Sequence, residues 1–188
     1  MDTAPAQSAA PTGDPVATLQ ADNDGYLAQV AELVAATPAP AYRRRSATED
    51  AIGAHIRHLL EHYESLLRDV DMAVDYARRE RDPEVETQPQ AATRRIAEVR
   101  RRLAALPARY ADHTLPVVHH QEAADGATTA VELRSSLARE LQFLLSHTVH
   151  HLALIAILAR HQGLEVPPDF GVAPSTLRHR RASAVAAR

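Results

Sequence analysis

His147 and His151 stand four residues apart in Ser146-His147-Thr148-Val149-His150-His151-Leu152, inside a long apolar run suited to a helix. One helical turn separates positions i and i+4, so both imidazoles leave one face at roughly 5–6 Å spacing. That geometry lets two nitrogens close on one metal ion. A second group lies well upstream: His55, His58 and His62 in Ile52-Gly53-Ala54-His55-Ile56-Arg57-His58-Leu59-Leu60-Glu61-His62-Tyr63. Their offsets of three and four again line one side of a helix. Two helices can therefore bring three histidines to one mononuclear site.

Three imidazoles on a divalent ion leave positions open for water or a substrate. Such an ion lowers the pKa of bound water to ~7, or polarises a bound thiol or carbonyl. Neutral ligands leave its charge uncompensated, which favours an anionic fourth ligand. Zinc, nickel, iron and manganese all accept imidazole, so the expected cofactor is a divalent ion of unspecified identity. Glu61 and Glu140 qualify as general bases only if they turn toward the site. A di-iron centre is disfavoured: it needs Glu-x-x-His on two helices, and Glu140 stands seven residues before His147.

The elements that must hold these side chains are marked by Pro, Gly and Asp. Residues 1–14 are rich in Ala, Pro, Ser and Thr and read as a disordered tail. A first helix runs from Val16 to Ala36 and stops before Pro38. Ser46-Ala47-Thr48-Glu49 reads as a capping box opening a second helix that continues toward Tyr76. The run Arg78-Arg79-Glu80-Arg81-Asp82-Pro83 then begins a charged loop. A third helix fits Gln90 to Leu106. Between residues 115 and 134, two short apolar runs flank Asp125-Gly126, the signal of a short β-hairpin. The fourth helix begins near Ser135 or Ser136 and ends at Gly163. The expected fold is all-α, a four-helix bundle over residues 15–165 with a long crossover, carrying the hairpin, between helices 3 and 4. Residues 166–188 form an extension in which Phe170 anchors Val166-Pro167-Pro168-Asp169-Phe170-Gly171 across the bundle.

At about 100° per residue, the fourth helix's stripe of Leu137, Leu141, Leu144, Leu145, Leu152, Ile155 and Leu158 turns His147 and His151 inward and His150 outward. On the second helix, His55 and His62 border the stripe of Ile52, Leu59, Tyr63, Leu66 and Val70, and His58 lies further round. Periodicity alone prefers His55 or His62 as the third ligand.

Composition removes several chemistries. The 188 residues suffice for one domain with its own core. Cysteine is absent, so there is no disulfide, thiolate ligand or protein-borne thiol nucleophile. All 21 basic residues are arginine, which excludes a Schiff-base or phosphate-loop lysine. A net charge of -3 argues against a nucleic-acid partner. No apolar run reads as long enough for a membrane span, so a cytoplasmic location is the default.

The combination of Ile52-Gly53-x-x-x-Arg57-His58-Leu59-x-x-His62-Tyr63 with His147-x-x-x-His151-Leu152-Ala153 resembles the DinB-like superfamily. These are metal-binding four-helix bundles related to thiol-dependent transferases, and the likeness covers roughly residues 15–165. The resemblance implies His58, His147 and His151 as ligands. It also implies a metal-dependent hydrolase, or a transferase using an external low-molecular-weight thiol. The alternative is a non-catalytic, stress-associated metal-binding bundle acting through a protein partner. A small-molecule substrate and a homodimer are the expected partners.

Other residues carry blander readings. His113, His119, His120, His161 and His179 lack a constellation. Tyr76, Arg79 and Arg81 read first as a solvated loop, with an anion-holding cavity mouth as the alternative. Arg100-Arg101-Arg102 reads as a solvent face, and Arg178, Arg180 and Arg181 as a basic tail.

Overall fold

The computed structural model describes residues 13–46, 49–107, 110 and 113–186. Asp14 opens the first helix, α1 (Pro15–Ala36), by accepting from the Val16 and Ala17 amides at 2.9 and 3.3 Å, with Pro15 at the first helical position. Its buried face carries Tyr26, Leu27, Val30, Leu33 and Val34. A short α2 (Ala39–Tyr42) follows.

The next helix, α3 (Ile52–Asp69), starts later and ends earlier than its sequence suggests. Ala47 and Thr48 of the expected capping box lie outside the described residues. The Glu49 amide does donate to Ser46 Oγ at 3.0 Å, but the helix opens at Ile52 behind Ala51, which contributes no side-chain cap. At the far end the chain leaves the helix at Val70, and Val74–Asp75 becomes β1. The cause is non-local. Val74 pairs with Val117 and is fully buried there, which a continued helix would forfeit.

Asp82 caps α4 (Pro83–Thr87), a short helix where a charged loop was expected. Then α5 (Pro89–Ala104) buries Ala92, Ile96, Val99 and Leu103. The hairpin consists of β2 (Thr114–Glu122) and β3 (Thr128–Ser136), nine residues each and antiparallel, with Val117 opposite Leu133. Since β1 pairs parallel with β2, the sheet has order β1-β2-β3. The expectation of an all-α fold is corrected to a mostly helical one with a three-stranded sheet.

The long helix α6 (Leu137–His161) is capped by Ser136, whose hydroxyl accepts from the Arg139 amide. It ends as expected. Gly163 takes φ 75°, the Leu164 amide donates to the Ala159 carbonyl, and the Gly163 amide donates to the Arg160 carbonyl. This pairing of a 6→1 and a 5→2 bond is the Schellman closure, for which glycine has no Cβ penalty. By length and composition α6 is apolar enough to cross a membrane, contrary to the sequence reading, and half of its most apolar stretch is buried within the bundle.

The four long helices close a ring, with α1 and α3 each packing against both α5 and α6. A buried network fixes three of them. Asn23 Nδ2 donates to the Leu141 carbonyl, and Tyr63 hydroxyl donates to Asn23 Oδ1 at 2.7 Å while sharing a 2.8 Å bond with Thr148. Phe170 is buried, as its role as an anchor requires. Residues Pro174–Ala186, expected as a basic tail, form α7.

Candidate metal centre

Three turns of α3 and two of α6 face each other with histidines. His58, His62 and His147 each offer a ring nitrogen, and these three atoms all lie within 4.8 Å of one another. His151 completes the cluster, its ring centroid 4.7 Å from that of His58 and 4.5 Å from that of His147. His55 joins from behind, with its Nδ1 3.1 Å from Nδ1 of His151. His150 is exposed on the outer face of α6, as the helical periodicity indicated.

Hydrogen bonds fix two tautomers, because carbonyls only accept and guanidinium groups only donate. His62 Nδ1 lies 2.8 Å from the His58 carbonyl and must donate to it, which leaves the lone pair on Nε2. Arg79 Nη1 lies 2.8 Å from His58 Nδ1 and donates to it, so a neutral His58 carries its proton on Nε2. The Nε2 of His147 is buried without a hydrogen-bond partner among the described residues. An orphaned buried nitrogen costs about 1–3 kcal/mol, and a metal ion is one way to satisfy it.

Burial is the first cause lowering the basicity of every imidazole in the cluster. It holds His58 down to about 3, with help from His62 and Arg79. His147 falls to about 4, assisted by His62 and His150, and His151 to about 3, assisted by His147 and His58. His55 and His62 are lowered by the same desolvation. All are neutral at pH 7, the form that ligates metal.

The wall above the cluster combines Tyr76, for which a cavity mouth was the alternative reading, with Phe143, which no sequence signal placed at a site. Tyr76 stacks on His62 with centroids 5.7 Å apart, and Phe143 stacks on His147 at 5.7 Å. Tyr76 and Phe143 also touch each other. Tyr76 and Arg79 thus leave the solvated-loop reading and border the histidines. The two carboxylates considered as bases are both engaged. Glu61 accepts from Arg57 through both oxygens, and Glu140 accepts from Tyr76 and from Ser135. His119 and His120 are elsewhere, on the exposed end of β2.

The structure therefore brings together all of His58, His147 and His151, and adds His62 at least as close. The stripe geometry alone had set His58 aside; it stands between His62, His147 and His151 because α3 faces α6 across the bundle. The donor set fits a divalent ion: clustered neutral imidazoles from two helices, one with a buried unsatisfied nitrogen.

Fold and site define a helical bundle with a polyhistidine centre between two of its helices. A solved structure with a similar fold is YfiT from Bacillus subtilis, described as a probable metal-dependent hydrolase with an unusual four-helix bundle topology. The two superpose with a TM-score of 0.55 over 87% of this chain and 95% of that one, at 12% sequence identity. The chain shares the four-helix-bundle fold of that protein, the architecture expected from its sequence. A stretch of 106 residues, 56% of this chain, is 32% identical to part of FK506-binding protein 5 from Rhizopus delemar. That stretch spans only 27% of the length of that protein. No protein-family profile matches the chain.

Proposed function

We propose that the protein binds one divalent metal ion through His58, His147 and a third imidazole, and uses it in hydrolysis or in transfer to an external low-molecular-weight thiol. The observation that carries this reading is the convergence of imidazole nitrogens from α3 and α6, with His147 Nε2 buried and without a hydrogen-bond partner among the described residues. The resemblance to DinB-like proteins makes His151 the third ligand. Donor spacing favours a second set with His62 in that place.

When bound, the ion supplies a Lewis acid that polarises a carbonyl or lowers the pKa of a ligating nucleophile. The chain's own contribution is a base. If His151 ligates, His62 is free, with its Nδ1 proton committed to the His58 carbonyl and its Nε2 lone pair ready to take a proton. Tyr76 and Phe143 cover the rings and keep bulk water off them. The likeness to YfiT, a probable metal-dependent hydrolase, supports the same class of chemistry. For assembly we propose a homodimer, supported by the exposed Val131 and Leu133 of β3 and tested by sedimentation.

Metal content of the purified parent and of His58→Ala, His147→Ala, His151→Ala and His62→Ala, measured by mass spectrometry, tests the ligand set. Near-stoichiometric metal, lost in the first three and kept in the fourth, supports the His151 set. Loss in His62→Ala with retention in His151→Ala supports the other. A parent that takes up no metal after reconstitution refutes the proposal and leaves a bundle acting through partners.

A further inference from the structure

Among the described residues Arg79 is the one cation hydrogen-bonded to the histidine cluster, and its bonding is unusual for a guanidinium. Its Nη1 donates to His58 Nδ1 at 2.8 Å, and its Nε is buried with no hydrogen-bond partner among the described residues. Among the described residues no carboxylate lies within ion-pair distance of it. The neighbouring acids are occupied: Glu61 by Arg57 and Glu64 by Arg95. Glu80, beside it in sequence, is exposed, where an ion pair is worth little.

A neutral imidazole has one lone pair. In this structure the lone pair of His58 lies on Nδ1 and accepts from Arg79. If a metal ion takes His58 through either nitrogen, that lone pair is consumed, or the proton must move to Nδ1 to free Nε2. In both cases Arg79 loses its acceptor. The site then gains two positive charges next to a guanidinium with no counter-charge, and the balance calls for an anion.

We propose that metal binding at His58 releases Arg79, and that the released guanidinium holds the carboxylate of a small-molecule substrate at the mouth of the site. This rests on the metal reading above and adds the substrate class to it. The planar fork of arginine matches a carboxylate through two parallel bonds, which a lysine does not reproduce. Tyr76 and Phe143 would lie against the apolar body of such a ligand, since they form the aromatic wall over the same rings. The arrangement also orders the two events. Without metal, His58 occupies Arg79 and the anion site is closed.

The test uses the full chain, Arg79→Met and Arg79→Lys, with zinc as the metal and acetate as the probe. Circular dichroism confirms that each variant is folded. Calorimetric titration is expected to give acetate binding to zinc-loaded parent about tenfold or more tighter than to zinc-loaded Arg79→Met, with Arg79→Lys in between. Metal-free parent and metal-free Arg79→Met are expected to bind acetate equally poorly. Long-range proton–nitrogen correlation spectra of the metal-free parent are expected to show His58 protonated on Nε2. Equal acetate affinity of the zinc-loaded parent and Arg79→Met overturns the inference, as does a metal-free His58 protonated on Nδ1. A parent that binds no zinc is a different failure, because it removes the metal reading and this inference with it.

Discussion

The Tyr76 hydroxyl donates to Glu140 Oε2 at 2.8 Å, joining the segment after α3 to the first turn of α6. Ser135 Oγ donates to the other oxygen of the same carboxylate at 2.5 Å. Glu140 is buried, and burial together with its charge pushes the Tyr76 phenol well up, so the phenol stays protonated and donates. This bond sets the ring that stacks on His62. Tyr76→Phe is expected to leave Glu140 one donor short and to cost about 1–3 kcal/mol. Urea denaturation checks it: the midpoint should fall with the slope unchanged. An unchanged midpoint would mean that water replaces the phenol without loss.

What the sequence reveals about this protein divides by the range of the forces involved. The starts and ends of α1, α5 and α6 follow from local chemistry, such as Pro15 and Pro89 at first helical positions, Ser136 as a cap and Gly163 as a terminator. The end of α3 does not, because Val74 is drawn out of the helical pattern by a strand more than forty positions away at Val117. The i, i+4 spacing made His147 and His151 legible as a pair. The place of Phe143 was not legible, and for Tyr76 and Arg79 a cavity mouth was only the alternative to a solvated loop, since each position depends on where α3 and α6 meet rather than on any local pattern. His58 shows the limit of periodicity. It lies off the apolar stripe of its helix, beyond His62 on the same side, yet it is in the cluster because α3 faces α6 across the bundle there.

Gly53 is a further residue whose type is dictated at long range. A Cβ there would meet the Glu86 carbonyl and lie 2.5 Å from Cε1 of Tyr42. The close approach lets α4 seat against the start of α3, where Arg57 bridges Glu86 at 2.9 Å and Glu61 at 3.1 Å. Gly53→Ala is expected to destabilise by about 1–3 kcal/mol through overpacking, despite alanine's better helix propensity. Thermal unfolding decides between the two effects: a raised midpoint would mean that propensity wins and α4 shifts at no cost.

Metal-free protein should weaken in mild acid. In the folded state His58 and His151 titrate at about 3 and His147 at about 4, whereas an unfolded histidine titrates near 6.5. Between those limits the unfolded chain binds protons that the folded chain does not, so stability rises with pH across the window and levels off above ~6.5. Denaturation midpoints at pH 7.5, 6 and 5 should therefore fall in the parent. The drop should be shallower in a His58→Gln, His147→Gln, His151→Gln triple variant, which removes these three groups and keeps the carboxylates. Parallel pH profiles would show that these histidines protonate without cost in the fold.

Bound metal should stabilise the folded chain, because the cluster exists only when α3 and α6 are packed together. A ligand at one hundred times its dissociation constant adds about 2.7 kcal/mol when it binds only the native state. Zinc is expected to raise the thermal midpoint of the parent, and a chelator to reverse the shift. His147→Ala should abolish the shift, since it removes the buried, unpartnered nitrogen. His150→Ala should keep it, since that ring points to solvent from the outer face of α6. The pair separates a site from a general affinity of histidine-rich surface for zinc. If both variants respond to zinc as the parent does, the stabilisation comes from scattered surface imidazoles and the inter-helix cluster is a packed core of neutral rings.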